Sequence, residues 1–155
     1  MTYILGINSF HADSSAALLG DGKILFAAEE ERFNRKKHWA GFPLQSIKHC
    51  LKETNIKLND IDHISINCSP KANFIRKVFY SLKNKPSPKF IAQRIKNKSR
   101  RVNLKNLFFE YFPNERFTGK FHFIEHHKSH LSSAFYASNF NKSAVLSVDG
   151  FGDFA

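Results

Sequence analysis

YILGINSFHADSSAALLGDGKILFAA, residues 3–28, is the stretch on which the fold turns. It holds three short apolar runs, Tyr3 to Ile7, Ala16 to Leu19 and Lys23 to Ala28, each too short for a helix and each bounded by polar or turn-forming residues. Asp21-Gly22 is a pair suited to the tight turn between antiparallel strands, where both central residues need positive φ. Outward from this stretch, Glu29 to Lys37 is dense in charge. Pro43 is well placed as the first residue of a helix, and Leu44, Ile47, Leu51 and Thr54 give that helix one face as far as Asn55. Asn59-Asp60 then turns the chain into a fourth strand, Asp62 to Asn67. The order β-β-β-α-β is that of an α/β domain, and excludes a helical bundle or a sandwich.

The 155 residues carry 24 Lys+Arg against 13 Asp+Glu, a formal net charge of +11. The excess is local. Between Asp62 and Glu110 there is no acid, and Lys71 to Lys105 holds 12 of the cations, so the remainder has 12 cations against 13 acids, a net of −1. This basic segment has helical spacing: Phe74, Val78 and Leu82 lie four apart, Pro86-Ser87-Pro88 breaks the run, Phe90, Ile91 and Ile95 begin a second helix, and Leu104, Leu107, Phe108 and Tyr111 a third that Pro113 ends. After Gly119 the pattern returns to strand (Phe121 to Ile124), helix (Ser129 to Ala137) and strand (Ala144 to Val148). The expected layout is a core of 1–68 and 119–155 around a basic helical insertion at about 71–117. The closing Asp149-Gly150-Phe151-Gly152-Asp153 is the start of a glycine-rich turn that lets backbone amides approach a phosphate, which makes Asp149, Gly150 and Gly152 candidates for cofactor binding. Because domains do not normally stop inside such a turn, the chain is expected to be the N-terminal part of something longer.

A hydrophobic fraction of 42% with 17 Phe supports a packed core and excludes disorder. No signal peptide pattern and no run of 18 apolar residues is present, and the two cysteines, Cys50 and Cys68, form no CxxC, so a cytoplasmic protein with reduced thiols is expected and no membrane partner.

Two constellations could carry chemistry. In His126-His127-Lys128-Ser129-His130, a helix would put His126 and His130 one turn apart on one face, where two imidazoles can hold one metal ion, and Asp149 at the end of the next strand could bring a carboxylate beside them. Two nitrogens and one oxygen suit Zn(II), Fe(II) or similar ions. The same residues could equally be a polar helix start with surface histidines. The second constellation is the polar loop of Asn8, His11, Asp13 and Ser14 with the run Glu29 to His38, which could bind an anion or move a proton, or be a turn followed by a solvated charge run.

Read together, GINSFHADSSAALLGDGKILFAAEEERFNRKKH (6–38), GFPLQSIKHCL (41–51), HHKSHLSSAFYASNF (126–140) and AVLSVDGFGD (144–153) closely resemble the N-terminal portion of the carbamoyltransferases related to nodulation-factor and antibiotic O-carbamoylation enzymes. The resemblance implies an incomplete domain of the actin-like ATPase and sugar-kinase (ribonuclease H-like) fold, with the rest of that domain and a carbamoyladenylate-forming domain lying beyond these residues. It implies O-carbamoyl transfer from carbamoyl phosphate, through carbamoyladenylate made with ATP, to a hydroxyl of a sugar, antibiotic or polysaccharide. It also implies a divalent metal, Fe(II) before Zn or Mn, held by His126, His130 and Asp149, with His11 as general base near the acceptor hydroxyl and Lys37 stabilising the leaving nucleotide or carbamoyl oxygen. This portion alone is expected to be inactive, its partners being the acceptor and the remaining part of the enzyme. Two other readings stand beside it: a nucleic-acid-binding module, in which the cations of 71–105 grip phosphate and Phe74, Phe79, Tyr80 and Phe90 stack on bases, and a threonylcarbamoyl-transfer relative of the same fold.

Overall fold

The computed structural model describes residues 1–69 and 104–149. Strands β1 (Tyr3–Asn8), β2 (Ser15–Gly20) and β3 (Lys23–Glu29) are followed by the single-turn helix α1 (Glu31–Asn34), helix α2 (Leu44–Thr54), a 3₁₀ turn (Leu58–Asp60) and β4 (His63–Ile66). Helix α3 (Leu104–Tyr111), β5 (Lys120–Phe123) and helix α4 (His126–Tyr136) complete the described elements. The sheet order is β3-β2-β1-β4-β5. β1 pairs antiparallel with β2, and β2 with β3; β1 and β4 are parallel, as are β4 and β5. The β-β-β-α-β reading of the sequence is realised, with the Asp21-Gly22 turn at φ 47° and 80° as that hairpin requires.

Alternation sets the two faces of the sheet. Leu5 and Ile7 of β1, Ala16 and Leu18 of β2, and Ile64 and Ile66 of β4 all point to one side and are buried. Against them pack Ile47, Cys50 and Leu51, one helical face of α2. Burial pushes the Cys50 thiol up to about 11, against weaker backbone hydrogen bonds that favour the thiolate. The other face carries small and polar residues such as Gly6, Ala17 and Ser65.

Leu104–Tyr111 is not peripheral to this core. Leu104, Phe108, Phe112 and Phe117 are all buried in it, and the Phe108 ring lies 4.9–6.2 Å from those of Phe42, Phe112, Phe117 and Phe121. The C-terminal part of the expected insertion therefore belongs to the hydrophobic layer beneath β4 and β5. The two basic helices expected before it, and with them the cationic surface on which a nucleic-acid reading rests, fall almost wholly in residues 70–103, outside the described residues. Gly119 permits the approach of β5, since a Cβ there would run into the Asp62 carbonyl oxygen, the group that accepts from Lys120 N at 2.9 Å.

Glu30 departs from the reading of 29–37 as a solvated charge run. Its side chain is buried, accepting from Gln45 N (3.1 Å), Ser46 N (2.8 Å) and Ser46 Oγ (2.9 Å) at the start of α2. Pro43, the residue before the helix, offers no side-chain cap. The carboxylate from the end of β3 supplies one, and its negative charge sits at the positive end of the helix dipole.

A second departure is the strand expected at Ala144 to Val148. Residues 143–149 have no regular structure, and Leu146 and Val148 are both 88% exposed. A strand exists only as part of a ladder, and among the described residues no segment pairs with this one.

Because three donors would lose their acceptor at a buried site, Glu30→Ala is expected to lower stability by about 1–3 kcal/mol in a denaturant titration, while Glu31→Ala, whose carboxylate meets the exposed Arg32 guanidinium at 3.8 Å, changes it by less than about 0.5 kcal/mol.

Candidate metal centre

Helix α4 begins at His126, three residues before the expected Ser129, and its cap explains the difference. The Glu125 side chain accepts from His127 N (3.1 Å) and Lys128 N (2.9 Å), satisfying two N–H groups that the helix leaves without partners. Burial pulls the Glu125 carboxyl upward, but the hydrogen bonds from Lys128 and His127, with the adjacent His127 ring, outweigh it and hold the group below its ordinary value.

With the helix starting there, His126 and His130 lie one turn apart on one face. Their Nε2 atoms are 3.0 Å apart. Asp149 Oδ2 stands 2.8 Å from His126 Nε2 and 3.7 Å from His130 Nε2. One ligand atom from each of the three residues thus lies within 4.8 Å of the others, although 23 residues separate His126 from Asp149. His126 is buried and the other two are more open. Two imidazole nitrogens and one carboxylate oxygen converging from one side fit a divalent ion with positions left for water or substrate.

The loop of residues 9–14 reaches the same place. His11 lies with its ring centroid 5.5 Å from that of His126. Asn67 Nδ2 donates to Asn8 Oδ1 (3.1 Å), and Asn8 Nδ2 donates in turn to the carbonyls of Ala12 (3.1 Å) and Asp13 (2.9 Å). Buried Ser14 donates through Oγ to the His11 carbonyl (3.1 Å) and the Gly41 carbonyl (2.8 Å), and Phe10 N donates to Gly41 O. Phe10, Asp13 and His38 have φ between 53° and 59°, which side-chain-bearing residues adopt only where the surroundings hold them.

Lys37 is exposed in the turn before His38, and His38 Nδ1 meets Asp13 Oδ1 at 2.9 Å, so that turn is fastened to the His11 loop. The structure brings His11, His126, His130 and Asp149 together; it places Lys37 beside the loop without a contact to the cluster among the described residues. Gly150 and Gly152 lie outside the described residues. Asn8 and Ser14 belong to the polar loop that the sequence pointed to, but Asn67 and Glu125 were not singled out by sequence: each is a common polar residue whose role shows only once its partners are in place. Beside the cluster, between α4 and the small-residue face of the sheet, runs a groove of about 690 Å³ whose walls include Asn8, Arg32, Ser129 and Ser133.

Residues 3–155 match the family model described as Carbamoyltransferase N-terminus. The chain is 38% identical over 162 residues to the protein sll1178 of Synechocystis sp., covering 100% of this chain and 26% of that protein. It is 36% identical over 148 residues to the nodulation protein NolNO of Sinorhizobium fredii, covering 96% of this chain and 21% of that protein. The chain therefore spans about a quarter of the length of these relatives. Among solved structures, YeaZ from Pseudomonas aeruginosa is similar over 46% of this chain and 32% of that one, with a TM-score of 0.34 and 20% identity, too distant to assign a fold family.

Removing the cap has a pH signature. A carboxyl held below its ordinary value stabilises the fold above its unfolded pKa of about 4.3, and that contribution is lost as pH falls through the folded value. Glu125→Ala is expected to speed hydrogen exchange of the α4 amides by about 2- to 30-fold at neutral pH, equivalent to about 0.5–2 kcal/mol, with the gap from the parent narrowing once pH drops below about 4.

Proposed function

The chain belongs to the carbamoyltransferase N-terminus family, and from that premise we propose that it forms the metal- and acceptor-bearing part of an O-carbamoyltransferase with an actin-like fold. The observation that carries the reading is the convergence of His126, His130 and Asp149 within 4.8 Å, with His11 held against them by a loop of fixed shape. The reaction is transfer of a carbamoyl group, derived from carbamoyl phosphate and activated with ATP as carbamoyladenylate, to a hydroxyl of a sugar, antibiotic or polysaccharide. It belongs to the whole protein, including the portion its relatives carry beyond the length matched here.

In the transfer step the acceptor oxygen bonds to the carbamoyl carbon, the bond from that carbon to the phosphate oxygen breaks, and AMP leaves with the electron pair. The hydroxyl proton goes to His11, whose main-chain carbonyl is fixed by Ser14 so that the ring stays beside His126. Lys37, carried by a turn that His38 and Asp13 fasten to the same loop, supplies positive charge toward the phosphate oxygen that gains negative charge as AMP departs. The groove walled by Asn8, Arg32, Ser129 and Ser133 offers hydroxyl, amide and guanidinium groups to a polyhydroxylated acceptor. His126, His130 and Asp149 would hold a divalent ion, Fe(II), Zn(II) or Mn(II), which when bound supplies Lewis acidity to a phosphate or carbamoyl oxygen.

Metal titration tests the ligand assignment. Asp149→Asn is expected to weaken Zn(II) or Fe(II) binding by at least about tenfold, and His126→Ala with His130→Ala by more than about 100-fold, because even changes outside the ligand set cost 10- to 100-fold in such centres. Unchanged binding in both variants, each shown by circular dichroism to be folded, contradicts the assignment. In a protein that includes the remaining portion, His11→Ala is expected to lower the transfer rate by about 10²- to 10⁴-fold.

A further inference from the structure

The sheet carries a second pair of histidines that plays no part in the site above. β4 and β5 run parallel with His63 opposite Lys120 and Ser65 opposite His122, so His63 and His122 are diagonal neighbours on one face. Ile64, Ile66 and Phe121 take the alternate positions and face the core, which fixes both histidines to the opposite side. His63 is partly exposed and His122 exposed.

Nδ1 of His63 stands 3.2 Å from Nε2 of His122, with ring centroids 5.0 Å apart and planes at 76°. Two imidazoles bound to one ion at about 2.0–2.1 Å, with an angle between octahedral and tetrahedral, place their nitrogens about 2.8–3.4 Å apart. The pair falls within that span, as does the 3.0 Å separation of His126 and His130. The side chains stand on adjacent paired strands, so little backbone adjustment is needed to bring both lone pairs to one point.

We propose that His63 and His122 form a second, solvent-accessible binding site for an imidazole-preferring divalent transition ion such as Zn(II), Ni(II) or Cu(II), with water completing the coordination. Carboxylate-preferring ions such as Mg(II) do not suit two neutral imidazoles. The site shares no ligand with the His126 cluster, so either can fail without the other. The competing account is a plain hydrogen bond in which one ring donates its single proton to the other.

Zn(II) titration followed by NMR of the histidine rings separates the two. With the parent chain at neutral pH, the ring signals of His63 and His122 are expected to move together as Zn(II) is added. In His122→Gln the His63 ring no longer responds at the same Zn(II) concentration, and the reciprocal loss appears at His122 in His63→Gln, while His126 and His130 respond as before in both. Because His122 is exposed, His122→Gln leaves the core intact, which the unchanged amide spectrum checks. Rings of His63 and His122 that stay in place at Zn(II) levels where the other cluster saturates overturn the proposal, as does a His63 response that survives His122→Gln. A flat response at His126 and His130 alone bears on the proposed function and leaves this site standing.

Discussion

The parallel pairing of β1, β4 and β5 is the constraint on which the candidate site depends. Parallel strands end on the same edge of a sheet, so whatever follows each of them gathers in one place. β1 ends at Asn8 and releases the loop with His11; β4 ends at Ile66, followed by Asn67; β5 ends at Phe123, followed by Glu125 and α4. Residues 11, 67 and 126 are far apart in the chain, yet the hydrogen bond from Asn67 to Asn8 and the His11 to His126 contact follow directly from strand order. Breaking the β1–β4 register would separate the loop from the helix, whatever the quality of either alone.

Polar groups with very different energetics hold this edge. Glu30 is buried with three donors, so its removal strands groups away from water. The Arg32 contacts with Glu29 and Glu31, at 3.9 and 3.8 Å, involve a mostly exposed guanidinium and add little. The clustered His126, His130 and Asp149 are different again. On the proposed reading a divalent ion would take a lone pair from each of the two imidazoles and from the carboxylate.

The fold's outline was legible because it rests on local signals: apolar runs of strand length, the Asp21-Gly22 turn, and the α2 stripe from Ile47 to Leu51. The helical spacing of His126 and His130 was legible for the same reason; Asp149 was expected beside them at the end of a strand, and it arrives there although residues 143–149 form no strand. What escaped depends on partners distant in sequence. Glu30 looks like its charged neighbours until Ser46 is placed beside it, and Glu125 is an uncommon cap that moved the start of α4 back by three residues. Leu104 to Phe117 read as part of an insertion because the basic composition before it masked a ring cluster that only the arrival of Phe121 completes. Ala144 to Val148 has the composition of a strand, but strand formation is a property of the pair and not of the segment.

The proposed chemistry requires the three converging side chains to be ligands. Anomalous diffraction from crystals of the protein loaded with Zn(II) addresses this directly. The predicted result is a peak bonded to His126 Nε2, His130 Nε2 and an Asp149 carboxylate oxygen at about 2.0–2.2 Å. The contradicting result is no peak there, with His126 and Asp149 retaining their direct 2.8 Å hydrogen bond at saturating metal.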